Sequence, residues 1–397
     1  IALGMGFDKP DLGFVIHYQS PGSLVAYYQQ IGRAGRAIDD ALAVLFMGDE
    51  DEAIHEYFRS ASRPSAEDQM ALVSCLEDAE NGLRQGDLLA QLNWKSGRLT
   101  QTLKLLTAES PSPIATSKTG YVRSASAWQP DQEKDKALRE RAEEERSRFV
   151  SFASSPTCWM ELVRRELDDP TAEPCGKCGR CTGEVLLPEG YEDESLKEAL
   201  LFLNKAEFII EPRRQWKGKQ LAVHGFSGNI KEDLRCAPGL CLSHFGDPGI
   251  AQWVKEGKEE GVFRDDLVSE AAGALSRALP DEQFDWVCCV PSLRDPRLVR
   301  DFAAKLAVEM KIPFRDVVKK VRPTEPQKRM ENSYRQTANL AGAFEVDDVQ
   351  GGSVLLVDDY VDSRWTVTVI GALLRQAGAD KVTPLALSSS QNQSDED

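Results

Sequence analysis

The sequence has no apolar run near the roughly 18 residues that a membrane-spanning helix needs, so no membrane partner is expected. It also has no G-x-x-x-x-G-K-[ST] loop, so no segment of it can cradle nucleotide phosphates as a self-contained P-loop ATPase does. Positive charge is scarce: 48 Lys and Arg stand against 64 Asp and Glu, a net charge of -16. Taken over the whole chain, that balance argues against nucleic acid, but binding depends on local patches. Cysteine is not scarce. Nine are present, four of them clustered, which fits a metal site in a reducing compartment better than a disulfide framework. A chain of 397 residues has room for two to four domains with cores of their own.

The most informative stretch is YYQQIGRAGR, from Tyr27 to Arg36. Gln29, Arg33 and Arg36 stand at i, i+4 and i+7, a spacing that predicts one shared helix face. Each arginine follows a glycine, so two planar, permanently charged forks can reach a phosphate with little obstruction. That is arginine-finger chemistry. Upstream, a Gly-rich turn (Gly4, Gly6) leads through Asp8, Lys9 and Pro10 to the apolar strand Phe14 to Ile16.

In this order, GMGFDKPD and YYQQIGRAGR resemble motifs V and VI of superfamily-two helicases, and of the RecQ family in particular. The resemblance implies an ATP-dependent DNA helicase that moves 3′ to 5′ and serves DNA repair and recombination. It implies ATP and Mg²⁺ as cofactors and single-stranded and duplex DNA as partners, for a monomer in the bacterial cytosol or nucleoid. Gly6 and Asp8 would then bind nucleotide at the lobe interface. Gln29 would couple nucleotide to motion, and Arg33 and Arg36 would stabilise charge on the transferring phosphate. Since a first motor lobe with its phosphate loop is not in the sequence, the chain is expected to be a C-terminal fragment, inactive as an ATPase by itself.

Residues 1–63 are expected to complete a partial RecA-like second motor lobe, with strands at Phe14 to His17 and Ala41 to Phe46 and a closing helix around Glu50 to Arg59. Residues 64–130 read as a winged helix. Leu88, Leu89 and Leu92 share one helix face, a turn covers Lys95 to Gly97, Leu99, Leu103 and Leu106 line the next helix, and Pro113 to Trp128 forms the wing. Residues 83 to 130 carry a net charge of +4, with six bases and two acids. Lys95, Arg98 and Lys118 are the expected phosphate contacts. From Gln132 to Phe149 six bases and six acids surround a thin apolar stripe, which reads as a solvated helix without chemistry.

Residues 131–185 form the expected helical zinc-binding module. Cys158, Cys175, Cys178 and Cys181 follow C-x16-C-x2-C-x2-C, in which a Gly-containing knuckle offers three thiolates and a fourth closes the tetrahedron. Four thiolates select Zn²⁺ over harder ions. The spacing again resembles the RecQ zinc module, although here the winged-helix segment precedes it.

Residues 186–248 read as a connecting segment. Arg213, Arg214, Lys217 and Lys219 surround Trp216, a composition suited to clamping single-stranded DNA or to a basic linker. Cys236, Cys241 and His244 suggest a second metal but lack a fourth ligand, and stay unassigned.

Residues 249–388 read as a parallel-sheet α/β domain, and residues 389–397 as a disordered acidic tail. After the strand Val354 to Val357 come Asp358, Asp359, Asp362, Ser363 and Thr366, then a helix from Thr368. Two acids after a strand, with hydroxyls opening a helix, suit ribose hydroxyls and a 5-phosphate. The pattern is similar to the phosphoribosyl pyrophosphate motif of type I phosphoribosyltransferases, and the stretch before it to the ComF-type branch. Arg364 and Trp365 replace the small residues usual in the phosphate loop. The combination of all these parts resembles the RqlH-type branch of bacterial RecQ-like helicases. Two other functions compete with the helicase: a phosphoribosyltransferase acting through the last domain, and a non-enzymatic DNA-binding scaffold.

Overall fold

The computed structural model describes residues 9–79, 81–184, 187, 190–203 and 208–389. Gly6, Asp8 and the tail after Ser389 therefore lie outside the described residues. The chain divides into two compact units, Ile1–Leu83 with Gly97–Gly190, and Arg84–Ser96 with Tyr191–Asp397.

The first unit opens with β1 (Phe14–His17), α1 (Leu24–Ile31), β2 (Leu42–Leu45), α2 (Glu50–Ser62) and α3 (Ala66–Glu77). Strands β1 and β2 pair in parallel, Phe14 opposite Leu42 and His17 opposite Leu45. Ser23 caps α1 by accepting from Ala26 N, and Ser65 and Asp68 form a reciprocal capping box at α3. The seven-residue α4 (Gln85–Gln91) falls in the second unit, and α5 (Ser96–Ala108) begins where the two units part. The antiparallel hairpin of β3 (Ile114–Thr116) and β4 (Tyr121–Arg123) turns at Gly120, whose φ of 139° suits glycine. After it come the long α6 (Gln132–Ser154), α7 (Trp159–Glu166) and the single turn α8 (Gly179–Thr182).

Helix α6 departs from the solvated helix expected of its composition. Arg146 is buried, donating to Ser20 Oγ and Pro21 O at 3.1 Å each and to Glu52 at 3.2 Å. Asp135 is buried as well, paired with Arg63 and accepting from Gln69 at 3.2 Å. A balanced charge run hides such residues because their partners lie 66 or more positions away in sequence.

The second unit continues with α9 (Asp193–Leu203), β5 (Phe208–Ile210), β6 (Gly239–Cys241), α10 (Ile250–Glu260), α11 (Asp265–Ala278), β7 (Trp286–Cys289) and α12 (Leu298–Glu309). It ends with β8 (Val318–Lys320), α13 (Ser333–Leu340), β9 (Phe344–Val346), β10 (Ser353–Val361), α14 (Trp365–Gln376) and β11 (Lys381–Ser389). The main sheet has the order β5-β6-β11-β10-β7, parallel except for edge strand β5. It therefore takes in two strands from the segment expected only to connect, and its last strand reaches Ser389. Three-residue strands are too short to announce themselves by alternation. Both faces of the sheet are covered. Val354 and Leu356 of β10 join Trp286, Val369 and Ile370 on one side, while Leu355 and Val357 join Val254, Leu267 and Phe302 on the other. This is the two-residue period of a buried parallel strand.

Candidate functional site

Two places bring sequence-selected residues together. The first surrounds α1. His17 of β1 is buried and bonds Gln30 across 2.8 Å, while neighbouring Gln29 is exposed. Helix α1 ends at Ile31 with Gly32 as its C-cap, so Arg33 and Arg36 lie beyond the helix and do not share a face with Gln29 as the spacing predicts. Beyond Gly32 the chain closes in a tight turn, Ala34 N donating to Ile31 O at 3.0 Å, and Gly35 takes a φ of 77° that glycine adopts freely. The resulting turn is pinned to the segment before β1, with Gly35 N donating to Leu12 O and Ala37 N to Pro10 O at 3.0 Å each. Motif VI is thus stitched to the end of motif V. Arg33 is half-buried in this turn, and Arg36 is exposed, its Nε donating to Gly32 O at 3.4 Å.

Tyr27 of α1 packs inward against Phe149 and Phe152 of α6, at ring separations of 6.0 and 5.5 Å, with Leu24 and Val163 of α7 in the same cluster. Cys158, at the N-cap of α7, faces the knuckle. The Sγ atoms of Cys158, Cys175, Cys178 and Cys181 all lie within 4.8 Å of one another. Backbone amides point at the sulfurs: Cys175 N donates to Cys158 Sγ at 3.2 Å, and Cys178 N to Cys175 Sγ at 3.3 Å. Donors of this kind favour thiolates.

Four adjacent thiols cannot all ionise without a cation. Burial opposes ionisation at Cys178, yet amide donors from Trp159 and Cys181 outweigh it and draw the thiol down to about 6. Cys181 receives an amide donor from Gly176, but the sulfurs of Cys158 and Cys178 push it up to about 12. A soft dication removes that conflict, and the donor set fits Zn²⁺. Among the described residues no other group of this kind occurs. Cys236 and Cys241 are buried, their Sγ atoms directed at the carbonyls of Val367 and Ser243, and His244 stacks on Phe208.

The expected DNA contacts are dispersed. Lys95 is exposed in the second unit, and Lys118 is exposed on the hairpin of the first. Arg98 is committed to Asp68, with Nε donating at 2.9 Å and Nη2 to the other carboxylate oxygen. Holding the capping-box acid is a structural duty that helical periodicity cannot reveal. Trp216 is not a stacking platform for single-stranded DNA either. It is 6% exposed and lies flat against Phe226 at 4.5 Å.

The second place is the carboxyl end of β10. Asp358 and Asp359 lie within the strand, which runs on to Val361, and α14 begins at Trp365, earlier than Thr368. Trp365 has no exposure. Its ring lies under the Arg213 guanidinium at 4.1 Å, and Arg213 Nε donates to Ser363 O at 2.9 Å. Tryptophan is therefore a core residue here, and the buried indole extends the helix by one turn. Burial, with Asp359 beside it, holds the Asp358 carboxyl well above the usual carboxylate range. Asp359 faces the opposite side of the strand and pairs with Lys258 Nζ of α10 at 2.6 Å, with that ammonium 4.5 Å from the Tyr360 ring centroid. Ser292, Arg294 and Asp295 complete a cavity of about 350 Å³ with Lys258, Asp359 and Tyr360. Asp362 and Thr366 are half-buried and Ser363 buried around the first turn of α14. Lys258 and Arg294 carried no signal in the sequence, since each stands in an ordinary charged surface pattern.

Residues 2–38 match the family model of the helicase conserved C-terminal domain. The chain is 67% identical over 36 residues to the RecQ-like DNA helicase blm-1 of Caenorhabditis elegans, covering 9% of this chain and 4% of that protein. It is 40% identical over 92 residues to the ATP-dependent DNA helicase hus2/rqh1 of Schizosaccharomyces pombe, covering 23% and 6%. To the probable ATP-dependent DNA helicase RecS of Bacillus subtilis it is 35% identical over 79 residues, covering 20% and 16%. The chain thus spans between 4% and 16% of the length of these relatives. Among solved structures it is similar to adenine phosphoribosyltransferase from Saccharomyces cerevisiae, at 17% identity and a TM-score of 0.23, over 32% of this chain and 70% of that one. With motif order and relatives in agreement, the N-terminal segment of the chain is similar to RecQ-like superfamily-two helicases.

Proposed function

We propose that the chain works within an ATP-dependent DNA helicase of RecQ type that moves 3′ to 5′ on single-stranded DNA and opens duplexes. The observation that carries this reading is the Gly32 to Arg36 turn. Hydrogen bonds pin it to the end of motif V, and its helix is cemented by Tyr27, Phe149 and Phe152 to the helices beside the four cysteines. Arg33 and Arg36 stabilise charge on the transferring phosphate, Gln29 couples nucleotide to motion, and Gly6 and Asp8 meet the nucleotide with its Mg²⁺. Zn²⁺ on the four cysteines holds α7 and the knuckle in register, and so backs α1. Residues 64–130 are read as a winged helix; Lys118 of the first unit and Lys95 of the second each contact phosphates by themselves, while Arg98 braces α3.

The test is DNA-stimulated ATP hydrolysis by the full chain encoded in the reading frame, wild type beside Arg36→Ala. An arginine finger predicts a fall in turnover of about a thousandfold, with folding unchanged because Arg36 is exposed. An unchanged rate would sink the assignment.

A second reading concerns the other end of the chain and is favoured by Asp359, at the carboxyl end of β10, lining a cavity with Lys258, Arg294 and Asp295. In it, Asp358 and Asp359 hold the ribose hydroxyls of phosphoribosyl pyrophosphate with Mg²⁺, and Asp362, Ser363 and Thr366 surround its 5-phosphate. Calorimetric titration with phosphoribosyl pyrophosphate and Mg²⁺ is expected to show binding that weakens at least about tenfold in Asp359→Asn. No heat from the wild type removes this reading and leaves the helicase reading untouched.

A further inference from the structure

Helix α4 is seven residues long, and isolated helices shorter than about 12 residues are marginal in water. Its last carbonyls also lack partners within the helix. Both deficits are met from far along the chain. The two Nδ2 hydrogens of Asn332 are shared among the carbonyls of Leu89 at 3.0 Å, Leu92 at 3.1 Å and Trp94 at 3.0 Å, across 238 to 243 positions of sequence. Arg335 donates to Gln91 O, a cation at the negative end of the helix. Asn93 makes the reciprocal pair, its Nδ2 donating to Arg329 O at 2.8 Å and its Oδ1 accepting from Glu331 N at 3.0 Å.

Asn332 has a second task. It is the N-cap of α13, its Oδ1 accepting from Arg335 N at 3.0 Å. One buried amide, 8% exposed, thus starts α13 with its oxygen and finishes α4 with its nitrogen. Gly86 sets how closely the two approach, because a Cβ there would stand 2.6 Å from the Tyr334 hydroxyl. Lys95 follows directly after the last carbonyl held.

We infer that the C-terminal sheet domain is the anchor of α4 and its following turn, and that Asn332 is the positioning residue that fixes the backbone of Leu89 to Trp94 and so presents Lys95 to a duplex. This rests on Lys95 being a phosphate contact. Without the anchor, a lysine on an unstable one-helix segment would pay an ordering cost each time it met a phosphate. With it, the turn is ordered in advance by residues of the same unit that lie far along the chain. The C-terminal sheet then has a duty in DNA binding that needs no ligand at Asp358 and Asp359.

The experiment uses the full chain and Asn332→Asp. Aspartate keeps the N-cap acceptor of α13 but turns a carboxylate toward three carbonyl oxygens. Amide exchange over Leu92 to Ser96 is expected to rise about tenfold, and affinity for a labelled duplex to fall several-fold, with α13 still protected. Asn332→Ser, which keeps a capping oxygen and lacks the amide, is expected to do the same and serves if the aspartate variant folds poorly. Unchanged exchange over Leu92 to Ser96 in both variants would overturn the anchor. Raised exchange with unchanged duplex affinity would overturn its role in DNA binding. Failure of the underlying reading has a different signature: Lys95→Glu leaves duplex affinity unaltered while exchange still responds to Asn332.

Discussion

Adjacent residues of one motif meet opposite fates. Asp358 and Asp359 are neighbours in a strand, so the pleat sends one carboxyl inward and the other toward Lys258. The inward one has a consequence for stability. Its value in an unfolded chain is near 3.8, and burial with Asp359 alongside raises it well above that when folded. The folded state therefore retains a proton that the unfolded state has lost. Any stabilisation is complete below the unfolded value and drains away as pH rises through the folded one. Asp358→Asn is accordingly expected to stabilise the second unit at pH 7, by on the order of 1 kcal/mol, and to leave it unchanged near pH 3.5. Denaturant titrations at the two pH values check this, and equal effects at both would refute it. Arg98 and Arg146 teach a related lesson. Their type and position suggested DNA contact for one and solvent for the other, yet both hydrogen-bond groups within their own unit.

Elements were legible in proportion to their length and their punctuation. The α12 face of Leu298, Phe302 and Leu306 is buried as the 3.6-residue period requires, and Leu99, Leu103 and Leu106 of α5 likewise. Glycine ends α1 where the sequence could have shown it. The spacing of Gln29, Arg33 and Arg36 is helical, but Gly32 and Gly35 interrupt the geometry that spacing assumes. Short strands such as β5 and β6 offered three residues each, too few for a period. At α14, Trp365 stands where small residues are usual in a phosphate loop, and packing against Arg213 and Trp216 makes it the first buried residue of the helix.

The two units have different sources of stability, and this separates their responses. All four clustered cysteines belong to the first unit, while the double-sided sheet core belongs to the second. Calorimetry of the zinc-loaded protein is expected to resolve two transitions. A strong chelator, or Cys178→Ser, should lower only the one belonging to the first unit, by more than about 10 °C. Transitions that shift together, or not at all, would refute a structural zinc confined to that unit. By itself the sequence determined much that depends on near neighbours: the order of the motifs, the spacing of four thiols, the leucine faces of α5 and α12 and the long buried strand β10. Only the tertiary structure decided what depends on distant partners. It took Arg146 and Asp135 out of water, closed the loop over Trp365 with Arg213, and joined Asn332 to helix α4. The reason is physical. Periodicity records which face of an element is buried, but an isolated polar residue finds its hydrogen-bonding partner only when folding brings together segments as much as 243 positions apart.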